Sequence, residues 1–229
     1  MPELPILQDP LAHAGAVYQR LLDYFGLPDW GRPLPPLDEL ISTILSQNTN
    51  DSNRDRAFRS LRARFPTWEK VRDADPGAVV EAIRSAGLAN RKGPRIQETL
   101  RQITAERGSL DLSFLSNLPA EEAQSWLLQF NGVGPKTAAI VLLFSLGKPA
   151  FPVDTHIHRV SGRIGLRPPQ MSAEEAHQHL ARLFAPETYG PAHLNLIRLG
   201  RQVCHARNPE CPRCPVQDLC EYYQSSQQG

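Results

Sequence analysis

The segment FNGVGPKTAA, residues 130–139, lies between two apolar stretches with helical spacing. Two glycines around one valine permit a tight turn, and Pro135 suits the first position of a following helix. The backbone N–H groups of such a turn can point outward at the helix N-terminus, where an anion such as a phosphate is favoured. A lone Gly-x-Gly is more commonly an ordinary helix–helix turn. The segment therefore predicts two helices joined by a hairpin, with anion binding as one of two interpretations.

Lys136 follows this turn directly and favours the functional interpretation. An amine in the first turn of a helix experiences an unfavourable helix dipole, and partial burial also removes its solvation. Both effects lower the pKa of an amine and leave part of it neutral and nucleophilic near pH 7. Lys136 is therefore a candidate nucleophile.

A second motif, VDTHIHRV, covers residues 153–160, and its Asp154 comes eighteen residues after Lys136. An Asp just before an apolar-periodic helix is first of all an N-cap. A carboxylate beside an amine nucleophile can also stabilise positive charge that develops on a sugar as a glycosidic bond breaks. The sequence leaves both interpretations of Asp154 open.

The cysteines cluster near the C-terminus with the spacing C-x6-C-x2-C-x5-C, at Cys204, Cys211, Cys214 and Cys220. A secreted disulfide scaffold would spread its cysteines through a smaller chain, so this grouping favours a metal site over free thiols. Four thiolates on one short loop can hold either a tetrahedral zinc ion or an iron–sulfur cluster. Because only one C-x2-C pair is present, the spacing does not separate these two metal centres.

The bulk composition is that of an ordinary globular protein. The 229 residues are 41% hydrophobic and 21% charged, which suffices for one sizeable core or two modest ones. No apolar run approaches the roughly 20 residues of a membrane span, and the N-terminus lacks a secretion signal. We therefore expect a cytoplasmic protein.

The net charge of +1 does not by itself suggest a nucleic-acid partner. The distribution of charge is uneven. Residues 1–50 hold two basic and six acidic side chains, whereas residues 130–170 hold five basic side chains and the single acid Asp154. This pattern indicates either a one-sided binding face or an uneven solvated surface.

Apolar residues recur at three- and four-residue spacing nearly throughout, which predicts an all-α fold without strands. Ser172 followed by Glu175 predicts a capping box. The breaks at 28–36 and 147–152 suggest a central helical block at about 37–150, which contains the hairpin, and a second unit made from 1–36 and 151–229. The Gln- and Ser-rich tail after Tyr223 reads as disordered. Predicted helices cover about 11–25, 37–47, 52–64, 76–85, 92–106, 120–130, 135–146, 155–164, 173–184 and 189–203.

Taken in this order, the hairpin, the V-D-T-H stretch and the cysteine motif resemble the endonuclease III branch of the helix-hairpin-helix DNA glycosylases. The resemblance runs from about Leu37 to Cys220. It implies a two-lobed helical fold with a 4Fe-4S cluster on the four cysteines. The lobes would be a six-helix barrel domain at 37–150 that ends in the hairpin, and a discontinuous iron–sulfur cluster domain made from 1–36 and 151–229. It also implies a DNA glycosylase and AP lyase of base excision repair, which would remove oxidised or otherwise damaged pyrimidines from duplex DNA.

The resemblance also implies roles for individual residues. Lys136 matches the lysine that attacks C1′ of the damaged nucleotide, forms a Schiff base and permits β-elimination, and Asp154 matches the carboxylate that assists it. The hairpin backbone would bind a phosphate near the lesion. Two segments would fill the gap left by a flipped nucleotide: a plug segment, Ser46–Thr49, and a wedge segment, Gly87–Asn90. The expected DNA-binding residues are Gln47 or Asn48 as the polar plug, Leu88 as the apolar wedge, Gly132, Val133, Gly134, Thr137 and His156.

Some of these assignments have an alternative. Leu88 could instead be a core contact at a helix end. The side chains of His205, Arg207 and Arg213, between the cluster cysteines, could contact phosphates or be solvated surface charge. The implied partner is double-stranded DNA with a damaged base or an abasic site, bound by a monomer that in a prokaryote would be associated with the nucleoid.

The match to the family departs in places that bear on damage preference. Asn131 and Pro135 stand where the hairpin usually has a proline and a basic residue, and the plug segment reads S-Q-N-T where many members have S-A-Q-A-T. An adenine glycosylase is disfavoured because Thr43 stands where its catalytic Glu would be. A mismatch thymine or uracil glycosylase, a pyrimidine-dimer glycosylase and a non-catalytic helix-hairpin-helix DNA-binding protein remain alternatives.

Overall fold

The computed structural model describes residues 9–227, and no strand occurs in that range. This confirms the predicted all-α class. Val141–Ser145 forms a π-helical turn directly after the eighth helix. The α-helices are α1 (Pro10–Phe25), α2 (Pro36–Ser46), α3 (Asp51–Arg64), α4 (Trp68–Asp73), α5 (Pro76–Ala82), α6 (Ala89–Arg107), α7 (Ala120–Leu128), α8 (Pro135–Ile140), α9 (Thr155–Ile164), α10 (Ala173–Leu183), α11 (Tyr189–Gln202) and α12 (Glu221–Ser226).

The described residues form two compact units. The central unit is Pro33–Lys148 and contains α2 to α8. The terminal unit combines residues 9–32 with residues 149–227, so it contains α1 and α9 to α12. Residues 1–8 and 228–229 of the predicted cluster domain lie outside the described range.

The core of the central unit is built around α2 and α6. Helix α2 packs against α3, α6 and α8, and α6 packs against α4 and α5. The apolar face of α2 is fully buried at Leu40, Ile41, Ile44 and Leu45. Each such side chain stabilises the fold by about 1.5–3 kcal/mol. This packing supports the α2 end that leads into the plug segment.

The terminal unit joins the beginning of the described chain to its end. Helix α11 packs against α1 and α9. The buried His13 of α1 donates from Nε2 to the carbonyl oxygen of Leu219, 2.9 Å away. Arg20 of α1 forms a 2.9 Å ion pair with Asp218. Helix α1 is therefore attached to the segment that carries the last cysteine.

Two sequence cues for helix starts are confirmed. Pro135 is the first residue of α8. Ser172 and Glu175 form a reciprocal capping box at the start of α10. Both cues act locally, which is why the sequence reveals them without knowledge of the fold.

Two short helices were missed by the sequence analysis. Helix α4 has six residues and buries only Trp68 and Val71, so its apolar period is too short to recognise. Helix α12 occupies part of the tail that was expected to be disordered after Tyr223. That expectation was wrong up to Ser226. Polar composition does not reveal the contact of Tyr222 with the Arg163 guanidinium, 4.9 Å from its ring centre.

Candidate functional site

The hairpin between α7 and α8 depends on Gly132. Its φ is +82°, a left-handed conformation that L side chains rarely adopt, and a Cβ there would collide with the side chain of Arg95. The amide of Val133 donates to the carbonyl of Phe130 at 3.0 Å and closes the turn. The side chains of Phe130 and Val133 are buried. The turn is therefore fixed by its own side chains in the core, and Gly134 of its backbone is exposed.

The start of α8 can accept an anion through its backbone. Gly134 is the N-cap residue, in extended conformation, and no side chain caps the helix. The first-turn amides of an uncapped helix are the groups that bind phosphates. Thr137 is 4% exposed, so a contact of this predicted DNA-binding residue with DNA would have to use its backbone amide.

Lys136 is the second residue of α8 and is half-buried. The chain has four lysines, and two of the others are committed to backbone carbonyls. Lys148 donates to the carbonyls of Ser116 and Leu118 at 2.9 and 2.5 Å. Lys92 likewise donates to two carbonyls and is buried. Lys70 is exposed on α4. Of the four lysines, Lys136 is the one that lies directly after the hairpin.

Glu39 is a carboxylate near this lysine that sequence reasoning missed. It lies on α2, one turn before Thr43, whose hydroxyl donates to its Oε1 at 3.2 Å. Burial raises the pKa of Glu39, while the Thr43 hydroxyl and the charges of Arg54 and Lys136 oppose this rise. Glu39 therefore interacts electrostatically with Lys136. The helical period of α2 predicts from sequence that Glu39 and Thr43 share one face. It does not predict that this face lies beside α8.

The plug segment is joined to the hairpin through Gln47. Its side-chain amide donates to the carbonyl of Gly132 at 2.9 Å. Arg95 of α6 donates to the Oε1 of Gln47 at 3.2 Å. Both ends of the Gln47 amide therefore have partners within the central unit.

Asn48 and Leu88 share an unusual backbone conformation. Their φ angles are +53° and +50°. Asn48 is exposed, and Leu88 is 47% exposed. The interpretation of Leu88 as a core contact at a helix end is therefore wrong. An apolar side chain held outward by a left-handed backbone is a feature of binding sites more than of ordinary helix starts.

Asp154 is the N-cap of α9, as its first interpretation predicted. Its Oδ1 accepts a 2.8 Å hydrogen bond from the amide of Ile157. The carboxylate is half-buried and belongs to the terminal unit, whereas Lys136 belongs to the central unit. The cap fixes the orientation of the carboxylate at the start of α9.

The predicted DNA contact His156 lies in the first turn of α9. It packs against α11, because a Cβ added to Gly200 would come within 2.9 Å of the His156 Cβ. Arg159 lies 3.1 Å from its Nδ1. His156 is thus held by neighbouring helices and is half-buried.

The basic excess of residues 130–170 is mostly structural. Arg159 donates to the carbonyls of Gly200 and Cys204. Arg163 donates to the carbonyls of His205 and Ala206, at 2.6 and 2.9 Å. Arg167 is buried and donates to the backbone carbonyls of residues 158, 168, 169 and 171. These arginines hold the loops of the terminal unit. The sequence analysis left two interpretations of this basic excess, a binding face or a solvated surface. These arginines do not form a freely solvated surface.

The four cysteines line one cavity in the terminal unit. Its other walls include Ile164, Leu199, Val203 and Val216. Burial, reinforced by the charges of the other three thiols, raises the pKa of Cys214 to about 11. A thiol in such surroundings becomes a thiolate when a metal ion stabilises its charge. The donor set and the apolar walls therefore fit an iron–sulfur cluster.

The surroundings of the cysteines also fit this group. Arg163 donates to the Sγ of Cys204 at 3.4 Å, and a donor to a ligating sulfur stabilises its negative charge. No three His, Cys, Asp or Glu side chains of residues 9–227 form a group that could hold a single metal ion.

The charged side chains between the cysteines divide into two kinds. His205 and Arg213 both pair with Glu210, at 3.0 and 2.6 Å. Arg207 is exposed. The first two are therefore part of a surface ion-pair network, which leaves Arg207 as the better candidate for a phosphate contact.

Comparison with known proteins identifies the family. Residues 41–186 match the model of the HhH-GPD superfamily base excision DNA repair proteins, and residues 204–220 match the iron–sulfur binding domain of endonuclease III. The second match settles the choice between zinc and iron–sulfur in favour of a 4Fe-4S cluster. Within residues 9–227 no helix is long and apolar enough to cross a membrane.

Relatives cover most of the chain. It is 34% identical to endonuclease III of Thermotoga maritima over 194 residues, which are 85% of this chain and 86% of that protein. It is 42% identical to a candidate DNA glycosylase of Arabidopsis thaliana over 151 residues, which are 66% of this chain and 52% of that protein.

A solved structure of a trapped endonuclease III–DNA covalent intermediate is similar with a TM-score of 0.80 and 25% identity, covering 95% of this chain and 98% of the other. Together with the two family models, this similarity shows both the fold and the lineage. The chain belongs to the HhH-GPD superfamily and, within it, to the endonuclease III family of base excision DNA glycosylases and AP lyases with a C-terminal 4Fe-4S cluster.

Proposed function

We propose that the chain removes oxidised or otherwise damaged pyrimidines from duplex DNA through a Schiff base on Lys136 and then cleaves the strand by β-elimination. The observation that carries this proposal is the position of Lys136, half-buried in the first turn of α8 directly behind the hairpin. The endonuclease III of the similar solved structure was trapped as a covalent intermediate with DNA. An amine at this point of the hairpin accounts for such a bond.

The position of the lysines along the fold supports this assignment. Lys92 lies on α6, and Lys148 binds the carbonyls of Ser116 and Leu118, so neither lies at the hairpin. Lys70 is exposed on α4 and offers a matched control. Among the lysines, Lys136 alone adjoins a glycine hairpin whose uncapped helix can hold a phosphate of the same nucleotide.

The proposed reaction proceeds in balanced steps. The neutral Nζ of Lys136 attacks C1′, and the N-glycosidic bond breaks as the base leaves with the bonding electrons and takes up a proton. Nζ then loses a proton, the C1′–O4′ bond breaks with O4′ taking up a proton, and an imine forms between Nζ and C1′. Removal of a C2′ proton then expels the 3′ phosphate, and water hydrolyses the imine to free Lys136.

Asp154 would act on the charge that develops in this reaction. Its carboxylate is oriented by the 2.8 Å bond from the Ile157 amide, which uses one of its two oxygens. A fixed carboxylate stabilises an oxocarbenium-like sugar and can transfer protons. The 4Fe-4S cluster, when bound, supplies four iron–thiolate bonds that hold the loop of residues 204–220 together.

The exposed residues Asn48 and Leu88 would fill the gap left by the flipped nucleotide. Flipping costs a few kcal/mol of stacking and pairing. A polar side chain can replace the lost partner of the opposite base, and an apolar one can enter the stack. Asn48 is favoured over Gln47 as the plug because the Gln47 amide is already bonded to Gly132 and Arg95.

Borohydride trapping on duplexes with thymine glycol or an abasic site tests the nucleophile. We expect the parent and Lys70→Gln to form a covalent adduct and Lys136→Gln to form none while it still binds DNA. Trapping by Lys136→Gln at the parent level would reject the assignment. Binding without trapping by the parent would favour a non-catalytic DNA-binding protein or an enzyme that stops at base removal.

A panel of duplexes defines the lesion. Base release from thymine glycol, with none from mismatched thymine, uracil or a pyrimidine dimer, would support the proposed substrate class. The reverse pattern would support one of the alternative glycosylases. Because all of these substrates are chromosomal, we propose that the enzyme acts in the cytoplasm, where in a prokaryote it would be associated with the nucleoid.

A further inference from the structure

Lys92 is a buried cation that the proposed chemistry does not use. It lies near the start of α6 and is 2% exposed. Its Nζ donates two hydrogen bonds of 2.8 Å, to the carbonyl oxygens of Leu45 and Ala86. Burial lowers the pKa of Lys92 to about 8. A buried ammonium is costly unless it is hydrogen-bonded, so these two carbonyls are needed to keep it in place.

The two carbonyls belong to the ends of two different elements. Leu45 is in the last turn of α2, and Ala86 ends the short 3-10 turn Arg84–Ala86. Carbonyls at such ends lack a partner within their own helix, and a cation there is also stabilised by the negative end of the helix dipole. Lys92 therefore caps both elements with one side chain.

The plug and wedge segments begin directly after these capped ends. Asn48 follows Leu45 by three residues, and Leu88 follows Ala86 by two. Among residues 9–227, the non-glycine residues with positive φ are these two and Asn208. Such conformations persist where the surrounding structure determines them. Lys92 is bonded to the backbone on the N-terminal side of both.

The backbone of Lys92 adds a third link. Its amide donates to the carbonyl of Leu88 at 3.0 Å. The next residue, Gly93, is in tight contact with α5, because a Cβ there would lie 2.9 Å from the Cγ2 of Val80. Helix α6 therefore has little room to shift, and the links made by Lys92 are anchored to the core.

We propose that Lys92 is a positioning residue that fixes the spacing of the plug and wedge segments, so that Asn48 and Leu88 enter the gap in a damaged duplex together. This inference rests on the proposed gap-filling function of those segments. It assigns Lys92 no contact with DNA. Its effect passes through the carbonyls of Leu45 and Ala86 and through the backbone of Leu88.

A purely structural role would predict only a loss of stability, and α6 offers a matched control for that role. Gln97 is 1% exposed on the same helix. Its amide donates to the carbonyls of Val71 and Ala74, at 3.0 and 2.9 Å, at the end of α4. Gln97→Met and Lys92→Met therefore remove equivalent buried bonds, but only Lys92 is bonded at the plug and wedge segments.

The test measures discrimination by binding, which does not need a reactive lysine. Fluorescence anisotropy gives the Kd for a duplex with a tetrahydrofuran abasic-site analogue and for the intact duplex of the same sequence. For Lys92→Met we expect about a tenfold loss of the preference for the abasic duplex, the size of a lost buried hydrogen bond, with intact-duplex affinity changed less than about twofold. Gln97→Met should keep the parent's preference.

A double-mutant cycle with Leu88→Ala tests whether Lys92 acts through the wedge. If it does, Lys92→Met should cost little further preference once Leu88 is truncated, whereas independent additive losses would overturn the proposal. Equal losses in Lys92→Met and Gln97→Met would overturn it too. If Lys92→Met does not fold, Lys92→Gln, which keeps one donor group, serves instead.

These outcomes are separable from failure of the proposed chemistry. A parent that prefers the abasic duplex but gives no borohydride adduct would reject the Schiff base on Lys136 and leave the Lys92 measurement valid. A parent that binds both duplexes equally would reject gap filling by Asn48 and Leu88, and the role of Lys92 with it.

Discussion

The side-chain amide of Gln47 donates a 2.9 Å hydrogen bond to the carbonyl oxygen of Gly132, which joins the plug segment to the hairpin. Gln47 therefore has a structural partner that the neighbouring Asn48 lacks among the hydrogen bonds of the described residues. Two neighbouring polar residues that look alike in sequence thus have different expected roles. Gln47 supports the hairpin, and Asn48 is exposed and is the proposed plug.

Substitution separates these two roles. Asn48→Gly keeps the left-handed backbone and removes the amide, so we expect unchanged stability and weaker preference for an abasic duplex. Gln47→Ala should lower the free energy of unfolding by about 1 kcal/mol through its lost hydrogen bonds. Urea unfolding measures the stability of each variant, and fluorescence anisotropy measures its preference for the abasic duplex. A stable Gln47→Ala variant that loses the abasic preference would exchange the two assignments.

The glycines of the hairpin should differ in their tolerance of alanine. Gly132→Ala places a side chain at φ +82° and against Arg95, so we expect a loss of at least about 1–2 kcal/mol. At Gly134 φ is −95° and a Cβ meets nothing within 4 Å, so Gly134→Ala should not destabilise. Urea unfolding of both variants tests this, and equal stabilities would show that the turn is less constrained than described.

Asp154 combines a helix cap with a proposed catalytic charge, and asparagine keeps the first while removing the second. We expect Asp154→Asn to retain parent stability and to lose about 100-fold or more in single-turnover base release. Asp154→Ala should in addition lose about 1 kcal/mol of stability. Base release by Asp154→Asn at the parent rate would leave the residue with its capping role alone.

Glu39 should make the parent less stable as pH rises. Because burial raises its pKa in the folded state, the folded protein binds this proton more tightly than the unfolded chain does. Stability is therefore lost between the unfolded-state pKa and the folded-state pKa. Glu39→Gln should match the parent at acidic pH and exceed it at neutral pH, measured by urea unfolding at both.

Thr43→Val is the control for this pH dependence. The Thr43 hydroxyl lowers the pKa of Glu39, so its removal should raise that pKa further and deepen the loss of stability at neutral pH. Parallel pH profiles for the parent, Glu39→Gln and Thr43→Val would show that the Glu39 carboxyl titrates alike in the folded and unfolded states.

Loss of one cluster cysteine should affect binding more than chemistry. We expect Cys214→Ser to lose the visible absorbance of the 4Fe-4S cluster, to unfold more easily and to bind DNA more weakly. Its single-turnover rate at saturating protein should change little. The exposed Arg207→Ser is the control for the loop, and it should keep the cluster. Normal affinity and stability in Cys214→Ser would contradict a structural role of the cluster.

Local patterns predicted the fold where a physical period repeats several times. Ile96, Leu100 and Ile103 mark the buried face of α6 from sequence alone, and all three are buried. Helix α4 has too few turns for such a period. The sequence also placed the hairpin glycines and the Asp154 cap, because both depend on residues that are close along the chain.

The remaining features depend on contacts between distant segments. Arg91-Lys92 reads as a charged surface pair, yet Lys92 is bonded to Leu45, 47 residues earlier in the chain. The left-handed backbone of Leu88 has no sequence signal, since leucine is not a residue that favours it. Arg159 and Arg163 suggested a binding face but hold backbone carbonyls. Only the folded structure distinguishes these buried charges from solvated ones.

The attachment of His13 to Leu219 has a consequence for the order in which the protein assembles. The two residues are 206 positions apart, so a ribosome must synthesise all the residues between them before this contact can form. The segment 33–148 is continuous and has its own core, so it can fold during synthesis. Helix α1 is synthesised before the central unit but must wait for its partner, and contacts of such long range form slowly. We therefore expect the terminal unit to assemble later than the central unit, and the cysteine loop of residues 204–220 to close only at that late step.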